Sequence, residues 1–241
     1  AMITARHAIG SAGTQNAAAA FGGNNPGSRA CTEHYNGSAW SSGADMNTAR
    51  YALEGAGDCQ YSAVAFMGIT APVQKSCTEL YDGTTWTNAE PALLARRELG
   101  GTGTKFAAVA AGGESPVTAA TEEWTQTYVP PFSCNLTGVW SAGGNLPDSV
   151  TVAMMGAGTQ NAGLAFGGYP GASPFAATNR TAEYNGSVWG SGGNLNHANY
   201  KGQGAGTQNA GLSMGGYAPG KFSCTEEYDG NNWSNGNAVI T

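Results

Sequence analysis

The chain has 241 residues, of which 38 are glycine and only 11% are charged, a composition that gives helices little support and suits short strands joined by tight turns. Its ten Lys and Arg residues are spread thinly and its formal net charge is -6, so it lacks the clustered basic surface that nucleic-acid binding requires. No apolar run approaches the roughly 20 residues of a membrane-spanning helix, so membrane insertion is not expected.

One stretch of sequence occurs several times. Gly156–Gly168 returns almost unchanged as Gly204–Gly216 and more loosely as Ser11–Gly23. Degenerate copies run from Gly55 to Gly68 and from Gly101 to Gly113. A period of about fifty residues is typical of a repeat architecture, in which each repeat buries little surface alone. We therefore predict one domain, 1–241, built from five repeats. They cover approximately 1–44, 45–90, 91–143, 144–193 and 194–241.

Each repeat divides into four predicted strands. The first follows a Thr-Ala-Arg segment or its equivalent, as at Ala5–Ile9 and Ala49–Leu53. The second strand is short and apolar, and it is predicted at Ala17–Phe21, Ser62–Phe66, Phe106–Ala110, Ala162–Phe166 and Ala210–Met214. It stops at a glycine pair, as before Gly22 and Gly23, and the pair is degraded to Met67-Gly68 in the second repeat. Glycine there allows a positive φ or a close approach to a neighbouring segment. The glycine pairs therefore mark the ends of the second strands.

The third strand carries Thr-Glu-x-Tyr in its best copies, and a hairpin follows at once. The hairpins contain the strongest sequence signals for type I′ turns, in which both central residues have positive φ: Asn36-Gly37, Asp82-Gly83, Asn185-Gly186 and Asp229-Gly230. The fourth strand is predicted to open on a tryptophan. We expect one tryptophan in each repeat to be largely buried between neighbouring sheets: Trp40, Trp86, Trp140, Trp189 and Trp233.

The third repeat departs from this pattern. Trp124 replaces the tyrosine, and Trp140 follows only after an insertion that includes Tyr128–Phe132. We expect this insertion to project from the body, either as a contact arm or as an inert surface loop.

Together these features resemble the kelch motif, whose repeats are the four-stranded blades of β-propellers. The resemblance covers essentially the whole chain and implies an all-β, five-bladed β-propeller. It says little about function, since kelch-like propellers include adaptors, lectin-like binders and an oxidase. The Gly-Thr-Gln-Asn-Ala motif is also similar to kelch-like repeats in proteins of marine bacteriophages, which implies a virion or cell-surface setting.

One aligned position lies at the predicted start of the first strand: Arg6, Arg50, Arg96, Thr151 and Asn199. In kelch adaptors such arginines bind carboxylate-bearing peptides, so Arg6, Arg50, Arg96 and Asn199 are ligand-binding candidates at one mouth of the channel. The structural alternative rests on the matching third-strand position: Glu33, Glu79, Glu122, Ala182 and Glu226. The one repeat without Glu also lacks Arg, so we favour salt bridges in at least three repeats.

The loops between the second and third strands differ most among repeats, and diverse loops on a repeated scaffold are where a partner surface is expected. Four aromatic residues there are candidates for stacking on a sugar or peptide: Tyr169, Phe175, Tyr217 and Phe222. Asn24 and Asn25 are candidates for hydrogen bonds to hydroxyl groups. Single aromatic residues are common in loops, so an inert role remains the alternative for each.

No metal site, cofactor or catalytic set is predicted. C-x-x-C spacing is absent, and Cys31, Cys77 and Cys224 share one repeat position, where we interpret them as small buried apolar residues. Cys59 and Cys134 stay unassigned. The copper oxidase with kelch-type blades needs two histidines and two tyrosines around its metal. Here His7 and His34 lie in the first repeat and His197 in the fifth, each at a different repeat position.

The sequence therefore favours a non-catalytic recognition module that binds a carbohydrate or protein partner through the loops of one propeller face, with no nucleic-acid partner. We expect it to be part of a larger chain or assembly. The alternatives are a purely structural subunit-contact module and, least favoured, a propeller enzyme of oxidase or glycosidase type.

Overall fold

A computed structural model describes residues 1–114, 117–127, 137–147, 152–170, 176–218 and 220–238. The regular secondary structure in these ranges is β-strand, and no described helix is long and apolar enough to cross a bilayer. The insertion predicted around Tyr128–Phe132 lies outside the described residues.

The strands form five four-stranded antiparallel sheets that follow one another along the chain. Sheet 1 contains β1 (Gly10–Thr14), β2 (Ala17–Phe21), β3 (Thr32–Tyr35) and β4 (Trp40–Ser42). Sheet 2 contains β5 (Glu54–Cys59), β6 (Ser62–Phe66), β9 (Thr78–Tyr81) and β10 (Trp86–Ala89). Between β6 and β9 the chain forms a separate two-stranded hairpin of β7 (Ile69–Thr70) and β8 (Val73–Gln74).

Sheet 3 contains β11 (Gly100–Gly103), β12 (Ala107–Ala111), β13 (Thr121–Thr127) and β14 (Thr137–Ala142). Sheet 4 contains β15 (Met155–Thr159), β16 (Ala162–Phe166), β17 (Thr181–Tyr184) and β18 (Trp189–Ser191). Sheet 5 contains β19 (Gln203–Thr207), β20 (Ala210–Tyr217), β21 (Lys221–Tyr228) and β22 (Trp233–Asn235). Five such sheets are the blades of a five-bladed, all-β propeller, as predicted.

Contacts divide the chain into two compact units. Unit 1 consists of Ala1–Arg97, Thr104–Ala108 and Glu123–Ser141, and it holds sheets 1 and 2. Unit 2 consists of Glu98–Gly103, Val109–Glu122 and Ala142–Thr241, and it holds sheets 4 and 5. Sheet 3 contributes residues to both.

The first strand of each sheet begins later than the sequence predicted. Ala8 and Ala52 lie inside the predicted strands but have φ values of 52° and 51°, and a left-handed residue cannot continue an extended strand. The aligned residues of the other repeats are also left-handed: Glu98, Ala153 and Lys201. The N–H of Ala52 donates to Ala8 O (2.8 Å) and that of Lys201 to Ala153 O (3.1 Å). A hydrogen bond to the preceding repeat thus fixes this conformation.

The second strands agree with the prediction at β2, β6 and β16, whereas β12 is shifted by one residue and β20 continues to Tyr217. Gly22 and Gly23 have φ values of 65° and 104°, and Gly23 N donates to Arg50 O of the next repeat (2.9 Å). A Cβ on Gly22 would lie 2.6 Å from the same carbonyl oxygen. The glycine pair therefore serves both a positive φ and a close approach, as predicted.

The type I′ prediction for the hairpins is wrong. Tyr35 pairs with Trp40, and Gly37 has a φ of 93° whereas Asn36 is not among the left-handed residues. The Asn36 side chain accepts the N–H groups of Ser38 (3.0 Å) and Ala39 (2.9 Å). Gly37 is thus the first central residue of the turn, and a glycine with positive φ at that position is the type II′ pattern. Asn36 precedes the two central residues, and its side chain accepts two backbone N–H groups of the turn.

Four of the five predicted tryptophans are buried, with Nε1 donating to a threonine hydroxyl of the preceding sheet. The four bonds are Trp86 to Thr32 (3.0 Å), Trp140 to Thr78 (3.0 Å), Trp189 to Thr121 (3.0 Å) and Trp233 to Thr181 (2.9 Å). Trp40 differs, since it packs on Tyr35 (ring centroids 5.2 Å apart) and is only partly buried. Because each indole packs and bonds across two sheets, these tryptophans join neighbouring blades within each unit.

The prediction of buried cysteines is wrong for Cys224, whose residue is exposed. Cys224 lies inside β21, which begins at Lys221, whereas Cys31 and Cys77 precede β3 and β9 and are partly buried. These three and Cys59 are free thiols, and Cys134 lies outside the described residues.

Candidate functional site

The arginine position does not face a ligand in sheets 1 and 2. Arg6 Nη1 forms an ion pair with Glu33 Oε1, and Arg50 Nη1 forms one with Glu79 Oε1, with each of these side chains at most 3% exposed. Arg6 also donates from Nε to Gly22 O (2.8 Å) and from Nη2 to the Ala20 carbonyl (3.2 Å). The ligand-binding prediction is therefore wrong for Arg6 and Arg50, because each guanidinium group is buried and paired with a glutamate of its own sheet.

The glutamates of these pairs also hold the backbone at the start of each repeat. Glu33 accepts the N–H groups of Ile3 (2.7 Å) and Thr4 (3.1 Å), and Glu79 accepts those of Asn47 (2.6 Å) and Thr48 (3.3 Å). We term a glutamate with these two donors a latch. Burial by itself would raise the pKa of Glu33, but the hydrogen bonds from Arg6, Ile3 and Thr4 outweigh it and lower that pKa.

The two remaining candidates at this position are buried as well. Arg96 is 1% exposed and donates from Nε to Met67 Sδ (3.4 Å). Asn199 is 1% exposed and donates from Nδ2 to Gly215 O (3.4 Å). Neither side chain is therefore displayed on the surface, where a carbohydrate or peptide would contact it. Thr151 lies outside the described residues.

Sheet 4 lacks the latch. Ala182 takes the place of the glutamate, and Pro147, which has no N–H, takes the place of Asn47. Three aligned positions therefore change together, with Thr151 the third. A hollow open to solvent lies here, and Pro147, Ala165 and Ala182 are among its lining residues. Sheet 4 therefore lacks both the latch glutamate and one of its two backbone N–H donors.

The loop asparagines hold their own segment. Asn24 pairs through its backbone with His7, with N···O distances of 2.9 and 3.3 Å. The Asn25 side-chain amide donates to Ala5 O, and Arg29 donates to the Asn25 carbonyl. The Asn25 amide is therefore already engaged in shaping the loop, contrary to its predicted role towards hydroxyl groups.

Three tyrosines of unit 2 form a row. The rings of Tyr169 and Tyr200 are in edge contact with centroids 5.1 Å apart, and those of Tyr200 and Tyr217 with centroids 5.4 Å apart. Tyr169 is only 8% exposed, whereas Tyr217 is 44% exposed. Sequence reasoning named Tyr169 and Tyr217 but missed Tyr200, although its aligned residues His7 and Tyr51 are also aromatic. We term these residues the tyrosine row.

Two charged side chains adjoin the tyrosine row. Tyr169 Oη lies 3.5 Å from Glu98 Oε2, and Lys201 Nζ lies 3.3 Å from Glu98 Oε1. Burial and the nearby carboxylates of Glu98 and Glu114 raise the pKa of Tyr169 to about 12. The site therefore presents a protonated phenol, a carboxylate and an ammonium group beside an aromatic edge. That set can hydrogen-bond and stack.

The other two aromatic candidates are Phe175 and Phe222. Phe175 lies outside the described residues. Phe222 lies in β21, where its backbone pairs with Gly216, and its side chain is not among those described.

His34 of β3 packs between two tyrosines of sheet 2. It is 7% exposed, with its ring centroid 5.3 Å from that of Tyr61 and 5.5 Å from that of Tyr81. Burial lowers the pKa of His34. In sheet 4 the aligned Glu183 accepts the hydroxyl of Tyr228 (2.5 Å), so this position contacts the next sheet in both cases.

Replacing His34 by leucine, the residue at this position in sheet 2 (Leu80), should reduce the acid sensitivity of the fold. The unfolded chain protonates histidine near pH 6.5, but buried His34 binds a proton only at lower pH, so stability falls as the pH drops below about 6.5. Thermal midpoints measured between pH 8 and pH 5 should fall less in His34→Leu than in the wild type. Exposed His7→Leu is the control, and equal acid sensitivity in all three proteins would contradict the assignment.

Sequence reasoning also missed a contact made by the repeated Gly-Thr-Gln-Asn motif. Gln208 Nε2 donates to Gly163 O (3.0 Å) and Tyr184 O (2.8 Å), so this side chain of sheet 5 reaches two strands of sheet 4. The sequence signal for this contact was that the glutamine recurs with the Gly-Thr-Gln-Asn motif. Among the described residues no group of three His, Cys, Asp or Glu side chains is placed to hold a metal ion.

No family model and no curated protein matches this chain. Among solved structures, the chain is similar to the one titled "Structure of YjhT", with a TM-score of 0.73 and 13% sequence identity over 96% of this chain and 84% of that chain. At this identity the likeness concerns the fold alone. The five repeated four-stranded sheets and this likeness identify the chain as a five-bladed β-propeller.

Proposed function

We propose that this propeller is a non-catalytic recognition module that binds carbohydrate at the tyrosine row of unit 2. The observation that carries the proposal is the row itself, in which packed rings lead from buried Tyr169 to Tyr217, 44% exposed. Tyrosine supplies a large contact area with few rotatable bonds, so little entropy is lost on binding. The buried end of the row fixes the exposed end in place.

The chemistry beside the row favours a sugar. The face of an aromatic ring is electron-rich and attracts the C–H groups on one side of a sugar ring. The Glu98 carboxylate accepts hydrogen bonds and the Lys201 ammonium, on a side chain 52% exposed, donates them. Stacking and hydroxyl recognition are thus available at one place. A protein partner would meet the same residues over a wider surface.

The proposal also includes two further points: the repeats are kelch-like, and the protein acts on a virion or cell surface. The glycine pair, the third-strand tyrosine and the fourth-strand tryptophan occupy repeated places in the sheets, which supports kelch-like blades. The virion or cell-surface setting is supported by the resemblance of the Gly-Thr-Gln-Asn-Ala motif to phage repeats.

Tyr217→Ala should weaken carbohydrate binding by about tenfold or more, because about 1.4 kcal/mol of lost stacking is a factor of ten in affinity. Binding would be surveyed on an oligosaccharide array and then measured by calorimetry with the best ligand. Tyr61→Ala is the matched control, since Tyr61 is 53% exposed but lies in unit 1, in the turn between β5 and β6.

Equal losses in the two variants would contradict a site at the tyrosine row. Conversion of the bound oligosaccharide to a new product would contradict the non-catalytic role. A protein that binds no sugar, but forms an oligomer that Tyr217→Ala dissociates, would favour the subunit-contact alternative.

A further inference from the structure

Sheet 5 keeps the latch glutamate but not its arginine. Glu226 is 1% exposed and accepts the N–H groups of Asn196 (2.6 Å) and His197 (2.9 Å), as Glu33 accepts those of Ile3 and Thr4 in sheet 1. The aligned residue of Arg6 and Arg50 is Asn199. A buried carboxylate therefore stands in sheet 5 without the guanidinium group that faces it in sheets 1 and 2.

Asn199 replaces only part of the arginine. In sheet 1, Arg6 donates to Gly22 O from Nε, to Ala20 O from Nη2, and to Thr4 O and Glu33 from Nη1. In sheet 5, Asn199 Nδ2 donates to Gly215 O, the counterpart of Gly22 O, and its Oδ1 is buried without a hydrogen-bond partner. The acceptors that the Nη atoms meet in sheet 1 correspond to Glu226, Ser213 O and His197 O.

The side chain that approaches Glu226 is a histidine. His197 Nδ1 lies 3.1 Å from Glu226 Oε1, and the His197 side chain is 47% exposed. A histidine carries a positive charge only when protonated, so it does not supply the fixed charge of an arginine. A buried carboxylate without a fixed cation is costly.

We infer that sheet 5 binds a small monovalent cation, such as sodium, potassium or ammonium, at the place that a guanidinium group fills in sheets 1 and 2. Its acceptors are the Glu226 carboxylate and the carbonyl oxygens corresponding to Ala20 O and Thr4 O of sheet 1. Oxygen ligands suit hard cations, and one carboxylate balances one positive charge. The scattered histidines and cysteines that argued against copper and zinc do not bear on an all-oxygen site.

The test is the thermal midpoint of the whole chain in sodium, potassium or ammonium chloride against choline chloride at equal ionic strength. The pH is about 8.5, above the ordinary histidine range. Binding to the folded state alone raises the midpoint with ligand concentration. We expect at least one small cation to raise the midpoint by about 3 °C or more over choline, increasing with the logarithm of its concentration.

Two variants decide whether the effect comes from this site. Asn199→Arg supplies its own guanidinium, so its midpoint should be the same in all four salts. Glu226→Gln removes the charge and should also lose the cation effect, which keeps the test open if Asn199→Arg does not fold. His34→Leu, in unit 1, should retain it. Equal wild-type midpoints in all salts, or an undiminished cation effect in either sheet 5 variant, would overturn the inference.

Discussion

Trp189→Ala is expected to lower the thermal midpoint by the order of 10 °C. Trp189 is 8% exposed and packs on Tyr184 with ring centroids 4.9 Å apart. Truncation of a buried tryptophan typically costs about 3–5 kcal/mol, and in a protein of this size each kcal/mol shifts the midpoint by about 2–4 °C. The substitution also leaves the hydroxyl of Thr121, 2% exposed, without its indole donor.

The matched control is Trp40→Ala. Trp40 holds the aligned position and packs against Tyr35 of its own repeat, but it is only partly buried. Less apolar surface is therefore lost from the core, and the midpoint should fall clearly less than in Trp189→Ala. Differential scanning calorimetry measures both. An unchanged midpoint in Trp189→Ala would show that the indole does not join sheets 3 and 4.

Arg50→Ala is expected to destabilise the protein by about 3–5 kcal/mol, because removing one partner of a buried ion pair leaves an uncompensated charge. Both side chains of the Arg50 and Glu79 pair are 0% exposed. Arg50 also donates to Ala65 O (3.3 Å) and Thr48 O (3.3 Å), so these acceptors lose a donor too. Denaturant unfolding gives the free energy.

The double variant Arg50→Ala with Glu79→Ala should recover part of that loss. Contacting residues typically show coupling energies of about 0.5–3 kcal/mol in a double-mutant cycle. Recovery should be incomplete, because the N–H groups of Asn47 and Thr48 lose their acceptor. Asn47→Pro, added to the double variant, removes one of these two N–H donors. The resulting chain then has proline and alanine where sheet 4 has Pro147 and Ala182. Strict additivity of the single substitutions would contradict the paired role of Arg50.

Some features could be predicted because each repeat carries their signals locally. The glycine pair Gly22 and Gly23 has the positive φ values that the sequence predicted. The coincidence of Thr151 and Ala182 in one repeat pointed to the Arg and Glu pairs of sheets 1 and 2. The repeats of one chain can thus be compared like related sequences. Two positions that change in the same repeat, such as those of Thr151 and Ala182, indicated residues that contact each other in the other repeats.

Other features depend on where neighbouring segments lie. Nothing local in alanine indicates that Ala8 and Ala52 are left-handed, because the cause is the hydrogen bond from Ala52 N to Ala8 O, 44 positions along the chain. Cys224 lies within β21 and is exposed, whereas the aligned Cys31 and Cys77 precede β3 and β9 and are partly buried. The tyrosine row was only partly foreseen, since Tyr200 meets Tyr169 and Tyr217 through packing between sheets.

The sequence by itself therefore determined the number of repeats and the four strands of each, because short-range backbone preferences and apolar patterning repeat five times. Only the tertiary structure decided which side chains face solvent. The sequence alone allowed Arg6 and Arg50 to meet a ligand, whereas in the structure both side chains are buried and paired with Glu33 and Glu79. Burial and hydrogen-bond partners are properties of segments distant in the chain, and a linear pattern does not fix them.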